Sequence, residues 1–508
     1  MSNLIKKEKN IWERNIIFYG FLFLYTACLI YLCYELNVWE DEIYTLNTSS
    51  LKLPDVISKS YSFEGQPPGY FIFLALWRNI NSGIFFARLF SVASIGTAAF
   101  FFYRVICLIS DKSRSKWLVA IFLLNPFTVW AGLEIRLYAF LILLSLISIY
   151  YFTRFYAGNK RRDLYIFLIV SAVGVYTQYF FTLQIAAFAF SLLVFKGWRA
   201  FFKFCIYLVP VVLLFLPNLI YLPAQLHMHQ YHLTQYSPVQ RFSAILRTPQ
   251  DFLLALQLVP FGKWIRWAVK TAFIIGVIYA YIRGFKYNRI VNNRYFELFN
   301  MLVLSVVFLV ILYGVILAIS DVVYISRYMA TGLPFFILLF TIFKQYSALI
   351  SRLLYGSICL YFILLMLLFY KNPVKDYDFK LLAKHINKIE HPGEPILFYD
   401  RITSVPFKYY YTGTNAIKPL PDSVDFENSA PQNIRDTIEL KKALEKINTR
   451  SNSYLLITND IDPVELNINM NRGVIDNYLK INFVTSLDTL FFGRSKTRYL
   501  RIRRLKAK

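Results

Sequence analysis

The sequence has few cysteines, and it lacks a glycine-rich phosphate loop, an internal repeat and a low-complexity tract. Its five cysteines all lie in apolar stretches, at spacings that match neither a metal site nor a disulfide framework, so we expect them to be core residues. The missing repeat weighs against a transporter built from two related halves. Because there is no glycine-rich loop, no motif indicates a nucleotide-binding site.

Long apolar stretches dominate the sequence. Of the 508 residues, 57% are hydrophobic and 19% are aromatic, which is more than a soluble domain can bury. A bilayer core about 30 Å thick needs about 20 mostly apolar residues per helix, and about eleven such stretches lie between Ile16 and Tyr370. The first stretch, which ends at Tyr34, is too long for a signal-peptide core and has no small-residue cleavage site, so we expect it to be retained. The sequence therefore predicts a polytopic α-helical bundle of about 11 spans.

Positive charge is in excess, with 55 lysines and arginines against 30 acidic residues. Most of these bases fall in short loops between apolar stretches, as expected for cytoplasmic loops, and this placement argues against a nucleic acid partner. The protein is predicted to lie in a bacterial inner membrane, with its N-terminus in the cytoplasm. The basic tail from Arg494 to Lys508 predicts an edge that rests on anionic headgroups. The segments poor in lysine and arginine should face the periplasm, and they cover 36–68, 131–137, 224–262 and 320–327.

Composition divides the chain into a membrane domain, 1–370, and a soluble domain, 371–508. Helix-like sequence at 376–390 and strand-like runs near 395–400 and 453–458 predict a small α/β fold for the second domain. With an odd number of spans, this domain would lie in the periplasm.

Four short polar clusters interrupt the apolar sequence, and all four fall in or beside the outward segments. Ionisable residues at membrane depth are costly, so such clusters are candidates for function. Their convergence on one membrane face predicts an enzyme site. The clusters are Trp39-Glu40-Asp41-Glu42, Glu64-Gly65-Gln66-Pro67-Pro68-Gly69-Tyr70, Glu134-Ile135-Arg136-Leu137-Tyr138 and Arg327-Tyr328.

The first two clusters offer carboxylates on a rigid loop. The pair Asp41 and Glu42 suits general-base catalysis, although an ordinary acidic helix end has the same pattern. Within the first outward loop, 36–68, two consecutive prolines restrict the backbone and would place Glu64 and Gln66 reproducibly beside a pocket. The alternative is a plain turn that starts a helix.

The third cluster offers a cation for an anionic ligand. Arg136 could bind a phosphate while Glu134 orients it, or the two side chains could form a structural salt bridge. Tyr138 could add a hydrogen bond to the same phosphate.

Two further arginines could bind a phosphate or contact lipid headgroups. Arg327, followed by Tyr328, offers a second fork for phosphate oxygens or a contact to lipid headgroups. Arg88, at the start of the second long helix, is either a further phosphate ligand or an interfacial arginine that snorkels to the headgroups.

Three histidines, His227, His229 and His232, lie together in an outward segment at a spacing that a metal site could use. They lack the fixed spacing of a metal motif and an evident carboxylate to orient them. We therefore assign no metal ligand and no cofactor, and dependence on a divalent metal stays open.

Taken in order, these motifs resemble the GT-C superfamily of polytopic glycosyltransferases that use polyprenyl-phosphate-linked sugars. The likeness is closest to the bacterial branch with lipid A aminoarabinose transferase and related mannosyl- and galacturonosyltransferases. The soluble tail, opened by Lys375-Asp376-Tyr377, is also similar to the extracytoplasmic domain of such proteins. The motifs are Trp-x-Asp-Glu ending at Glu42, Pro67-Pro68, Ala-Arg-Leu-x-Ser from Ala87 to Ser91, Glu-x-Arg-x-Tyr from Glu134 to Tyr138, and Arg327-Tyr328.

The resemblance implies a role for each motif. Asp41 would deprotonate the acceptor hydroxyl, with Glu42 assisting or positioning it. Arg136 and Arg327 would hold the phosphate leaving group, and Tyr138 would add a hydrogen bond. The implied partners are a polyprenyl-phosphate-linked sugar donor, membrane lipids, and an acceptor that is a glycan, a lipid such as lipid A, or a protein. No nucleotide is needed.

One position departs from the family pattern. Many relatives carry a histidine or lysine immediately before the two prolines, whereas this chain has Gln66. A neutral amide cannot neutralise a phosphate, so either the arginines suffice or the donor is held differently.

Two functions outside the transferase class also fit parts of the sequence. A lipid or glycan transporter or flippase would use many spans and intramembrane arginines, but it should carry charges near the middle of the membrane. A non-catalytic assembly protein of the same fold would keep the carboxylates for structural reasons alone. Replacement of Asp41 by Asn separates this last alternative from a transferase.

Overall fold

The computed structural model describes residues 2–508 except for several short stretches. These are 110–114, 226–247, 249–250, 256–261, 292, 320–325, 376, 400, 421–436, 446–452, 462–471 and 493–497. The chain forms two compact units. The membrane unit is Met1–Tyr34 with Thr48–Lys371, and the C-terminal unit is Glu35–Asn47 with Asn372–Lys508. The predicted histidine cluster at 227–232 lies outside the described residues.

Helices make up most of the first 370 residues. The early α-helices are α1 (Ser2–Glu35), α2 (Glu40–Thr48), α3 (Leu53–Ser62), α4 (Gly69–Arg78), α5 (Ile84–Ile109), α6 (Ser115–Leu124) and α7 (Pro126–Leu133). They are followed by α8 (Tyr138–Gly158), α9 (Arg161–Thr177), α10 (Phe181–Phe215), α11 (Lys263–Val291), α12 (Asn293–Ile319), α13 (Leu333–Leu338) and α14 (Ala348–Phe369). Short 3-10 helices cover Leu216–Ile220, Ser326–Gly332 and Leu339–Gln345.

Six helices in the described residues are long and apolar enough to cross a membrane, and the bent pair of α6 and α7 allows a seventh. The protein is therefore a multi-pass membrane protein, but the predicted count of about eleven spans is not confirmed. Apolar composition alone does not distinguish a membrane span from a shorter apolar helix. The apolar run Arg327–Phe343, for example, is too short to qualify as a span. The six are Ile16–Glu35, Ile84–Ile109, Tyr138–Gly158, Phe181–Ile220, Glu297–Ile316 and Ala348–Phe369.

Hydrogen bonds between helices satisfy polar side chains inside the membrane unit. The hydroxyls of Ser191 on α10 and Ser305 on α12 lie 2.8 Å apart. The Ser145 hydroxyl of α8 donates to the Thr331 carbonyl at 2.8 Å. Since lipid offers no hydrogen-bond partners, such contacts fix how the helices pack.

The segment 36–68, predicted to be the first outward loop, contains two helices and is therefore not an irregular loop. Helix α2 begins directly with three acidic residues, a favourable arrangement at the positive end of the helix dipole. Helix α3 has a proline in its first turn, where the missing amide hydrogen costs nothing. The segment then turns at Gly65, whose φ of 61° suits glycine, before α4 begins at Gly69.

The C-terminal unit contains a five-stranded mixed sheet with strand order β2-β1-β3-β5-β4. Strand β1 pairs in parallel with both β2 and β3, while β5 pairs antiparallel with β3 and β4. The strands are β1 (Ile396–Tyr399), β2 (Ile417–Leu420), β3 (Ser453–Ile461), β4 (Phe483–Phe492) and β5 (Arg498–Ala507). The helices are α15 (Phe379–Ile389), α16 (Arg401–Tyr410), α17 (Thr437–Glu445) and α18 (Arg472–Asn482). The predicted α/β fold is confirmed.

Both faces of the sheet carry apolar layers. Alternate residues of β1 point to opposite sides, so Phe398 joins a core with Phe379 and Phe407, while Leu397 joins a core with Leu440 on the other face. The sheet is thus enclosed by α15 and α16 on one side and by α17 and α18 on the other.

The described part of the basic tail forms strand β5, which is an interior strand of the sheet. Strand β5 lies between β3 and β4, and the contact of the tail with anionic headgroups stays a prediction. Its arginines pair within the unit: Arg501 donates to Asp488 at 2.8 Å, and Arg503 contacts Asp476 at 2.6 Å. The hydrogen bonds from Arg501 hold the pKa of the Asp488 carboxyl below its ordinary value.

The start of α4 packs directly on the end of α9. A Cβ atom at Gly69 would lie 2.6 Å from the carbonyl oxygen of Tyr176 and 3.1 Å from the backbone nitrogen of Thr177. Because backbone atoms cannot rotate away, this approach requires glycine.

We expect Gly69→Ala to lower the free energy of unfolding by about 1–3 kcal/mol, because the added methyl group overpacks this contact. Thermal unfolding of the purified protein in detergent measures the change. Gly96→Ala is the matched control, since a Cβ at Gly96 in α5 meets nothing within 4 Å. Equal stability of the two variants would contradict the expected clash.

Candidate active site

A buried ion pair joins the second and third polar clusters. The Arg136 guanidinium lies 3.1 Å from a carboxylate oxygen of Glu64, and their side chains are 8% and 3% exposed. The hydroxyl of Thr48 donates to the other oxygen of Glu64 at 3.0 Å. The sequence predicts that Glu134 either orients Arg136 or forms a structural salt bridge with it, and the structure adds Glu64 as an ion-pair partner of Arg136.

The local sequence explains why the turn between α7 and α8, which carries Arg136, has a fixed backbone. The Asn125 side chain caps α7 by accepting from the backbone amides of Phe127 and Thr128, with proline in the first turn. After α7 ends, Glu134 is extended, and its carbonyl accepts a 2.6 Å hydrogen bond from the Ser91 hydroxyl of α5. The backbone before α8 is therefore held from both sides.

A second guanidinium reaches the start of α8. The Arg327 guanidinium carbon lies 5.9 Å from the ring centre of Tyr138, which is the first residue of α8 and 1% exposed. The Trp130 ring centre also lies 5.2 Å from the Tyr138 ring centre. Arg136 precedes Tyr138 by two residues, so both arginines lie at the N-terminal end of α8, where the helix dipole is positive.

Two other predicted residues, Tyr328 and Arg88, make contacts within the membrane unit. The Tyr328 ring stacks on Phe180 at 6.2 Å, and its carbonyl accepts from the Tyr313 hydroxyl. Arg88 is 1% exposed, and its guanidinium donates to the Cys33 carbonyl of α1 at 3.0 Å. That hydrogen bond ties α5 to α1, and the predicted phosphate contact of Arg88 stays a prediction.

Gln66 lies in the same turn as Glu64 and carries a neutral amide. Its backbone amide donates to the Ser60 carbonyl at 3.0 Å, which closes the turn after α3. The side-chain Oε1 is buried, and it has no hydrogen-bond partner among the described residues. An acceptor of this kind favours a ligand that donates a hydrogen bond.

The first polar cluster belongs to the C-terminal unit. Asp41 and Glu42 lie in the first turn of α2. Glu42 is fully buried, and its carboxylate accepts a 2.6 Å hydrogen bond from the Lys375 ammonium group, whose residue is 7% exposed. Lys375 was noticed in the sequence as part of a domain-opening motif, but nothing local indicated that it pairs with Glu42.

Metal-ligating side chains do not cluster in the part of the chain that the structure describes. No group of three or more histidine, cysteine, aspartate or glutamate residues there could hold an ion. The candidate residues of the membrane unit offer two guanidinium groups, hydroxyl groups, an amide and a carboxylate. Such a set can bind an anion and move a proton.

We expect Glu64→Ala to destabilise the membrane unit by about 3 kcal/mol, because it leaves the Arg136 charge buried without this carboxylate. Thermal unfolding in detergent measures the loss. Asp55→Ala is the control, since Asp55 is an exposed acid in the nearby helix α3. An equally small effect of both substitutions would contradict a stabilising ion pair.

Comparisons with known proteins agree with this architecture. A family model described as dolichyl-phosphate-mannose-protein mannosyltransferase matches residues 65–221. That range contains Gln66, Arg88 and Arg136. A comparison with the sequences of curated proteins finds no match.

Solved structures resemble nearly the whole chain. ArnT from Cupriavidus metallidurans in the apo state has a TM-score of 0.55 and 10% identity, with 95% of this chain and 98% of that chain covered. The same protein bound to undecaprenyl phosphate has a TM-score of 0.51 and 10% identity, with the same shares covered. The chain thus has the fold of ArnT, and the resemblance to the GT-C superfamily of glycosyltransferases is confirmed.

Proposed function

We propose that this protein is a glycosyltransferase that moves a sugar from a polyprenyl-phosphate carrier to an acceptor hydroxyl. The observation that carries the proposal is that two arginines lie at the start of α8: Arg136 precedes Tyr138 by two residues, and the Arg327 guanidinium lies 5.9 Å from the Tyr138 ring centre. The proposed reaction takes place on the periplasmic face of a bacterial inner membrane. The N-terminus is then cytoplasmic, and the C-terminal domain, 371–508, is periplasmic.

The positive charge at the N-terminal end of α8 suits a phosphate leaving group, which gains negative charge during the reaction. Arg136 is balanced by Glu64, so it is held in place, while Arg327 rests on the Tyr138 ring. A guanidinium can donate two parallel hydrogen bonds to phosphate oxygens, and the first turn of α8 adds a positive dipole. Fixed donors of this type stabilise charge that develops in the transition state.

The carrier class is supported by a relative of the same fold. ArnT from Cupriavidus metallidurans has been crystallised with undecaprenyl phosphate. We propose a carrier of this class for the present chain. The acceptor is a glycan, a lipid such as lipid A, or a protein.

In the proposed reaction, Asp41 takes the proton of the acceptor hydroxyl. The acceptor oxygen forms a bond to the anomeric carbon, and the bond from that carbon to the phosphate oxygen breaks. Polyprenyl phosphate leaves with the electron pair, held by Arg136 and Arg327, while Tyr138 donates a hydrogen bond. The proton lost by the hydroxyl resides on Asp41, and the step balances without a nucleotide or an added oxidant.

Gln66 receives a role that its chemistry supports. A buried neutral amide oxygen that has no donor among the described residues suits a sugar hydroxyl better than a phosphate. We therefore assign Gln66 to the transferred sugar, Glu64 and Glu134 to the frame of the site, and Tyr328 to its aromatic wall.

We expect Asp41→Asn to abolish sugar transfer while the protein still binds undecaprenyl phosphate, because the amide cannot accept the proton. Purified wild type and variant are incubated with a panel of radiolabelled polyprenyl-phosphate sugars and a membrane extract, and labelled product is counted. Asp55→Asn, an exposed acid in α3, is the control and should keep full transfer.

Transfer that survives in Asp41→Asn would exclude this base. Folded wild type that transfers no sugar from any donor would instead favour a transporter, a flippase or an assembly protein.

We expect Arg327→Met to weaken binding of undecaprenyl phosphate roughly 10- to 100-fold, the range for one lost charged hydrogen bond. Fluorescence titration with undecaprenyl phosphate in detergent measures the dissociation constant. Arg104→Met is the matched control, because Arg104 also packs on a tyrosine, 5.3 Å from the ring centre of Tyr150. Equal losses in the two variants would show that the effect is not specific to the site.

A further inference from the structure

We propose that the C-terminal unit positions the catalytic base, and that Lys375 is the residue through which it does so. The base segment, Glu35–Asn47, carries Asp41 and is part of the C-terminal unit together with Asn372–Lys508. The inference rests on the proposed function for the role of Asp41. According to this inference, transfer also requires the contact between the base segment and the residues that follow Asn372.

Asn37 binds the backbone at the start of the soluble sequence with both ends of its amide. Its Nδ2 donates to the carbonyls of Lys375 and Tyr377, at 2.9 Å each. Its Oδ1 accepts from the Lys375 amide at 2.7 Å. Asn37 is 2% exposed, so its amide has little access to water and depends on these hydrogen bonds.

Two more hydrogen bonds hold the same stretch. The Val38 amide donates to the hydroxyl of Tyr410 at the end of α16, at 2.8 Å. The Lys380 ammonium donates to the Glu35 carbonyl at 2.8 Å. Residues 35–38 are thus tied to three separate places in the C-terminal unit.

The ion pair of Glu42 and Lys375 then fixes the rotation of α2. Glu42 is 0% exposed, and its oxygen lies 2.6 Å from the Lys375 nitrogen. Successive residues of a helix point about 100° apart, so a fixed direction for Glu42 also fixes the direction of Asp41. Two buried charges hold each other firmly because each is costly without the other.

This geometry separates the roles of the two acidic residues. A carboxylate that is fully buried against an ammonium group cannot reach a substrate hydroxyl, so Glu42 is a positioning residue. Asp41 remains the base, and Lys375 acts on the reaction through Glu42.

The test compares Lys375→Met with Arg504→Met in the full-length protein. Arg504 forms a second buried ion pair of the same unit, 2.9 Å from Glu394, which is 0% exposed. Both variants remove a cation from a buried pair, but Arg504 makes no bond to the base segment among those described. Loss of stability is therefore common to both.

We expect Lys375→Met to lower kcat roughly 100-fold, as a small misplacement of a catalytic group does, with the affinity for undecaprenyl phosphate unchanged. Lys375→Arg, which keeps the charge, should recover part of kcat. Amide hydrogen exchange of peptides from 35–47 should rise in Lys375→Met and stay at the wild-type level in Arg504→Met. Turnover is compared per folded protein.

Each other result overturns the proposal. Faster exchange without a fall in kcat means that the contact is structural alone, and a fall in kcat without faster exchange means that Lys375 acts in another way. An equal fall in Arg504→Met means general destabilisation. Hydrogen exchange needs no substrate, so it distinguishes a failed contact from a wild type that transfers no sugar.

Discussion

The ion pair between Arg136 and Glu64 is the constraint on which the candidate site depends. A guanidinium inside an apolar helical unit has to be paired, because the cost of burying it alone is large. Glu64 supplies that charge at 3.1 Å and thereby joins the turn before α4 to the turn before α8. Thr48 reaches the same carboxylate, so the end of α2 is drawn to this point as well. The end of α2 and the turns before α4 and α8 are thus held together at one charged contact.

The pair of Glu42 and Lys375 repeats this arrangement in the C-terminal unit. Hydrophobic residues of the same volume would stabilise a fold at least as well as a buried ion pair, so such pairs are weak evidence for stability. Such a pair fixes the orientation of its side chains, since a short charged hydrogen bond holds a side chain in a single geometry. Both pairs occur beside a residue with a proposed chemical role. This placement is the reason for regarding them as part of the catalytic design.

Composition and periodicity were sufficient for the fold class. The helix at 379–389 and the strands at 396–399 and 453–461 lie close to the predicted 376–390, 395–400 and 453–458. Two features of the fold depend on contacts between residues that are distant in sequence. An apolar run such as Arg327–Phe343 does not reveal whether it will cross the membrane or break into short helices. The basic tail became an interior strand because β3 and β4 pair with its two edges, and strand order leaves no local pattern.

For the site, the sequence identified single residues better than their partners. Arg136, Tyr138 and Arg327 were selected because polar groups in an apolar chain are costly, and the structure brings them to the same helix end. Glu64 lies 72 positions from Arg136, and Lys375 lies 333 positions from Glu42. No periodicity connects residues so far apart. A buried charge can be recognised as costly from one residue alone, whereas the fold decides which group offsets that cost. The positioning role that we propose for Lys375 therefore rests on its three-dimensional contact with Glu42.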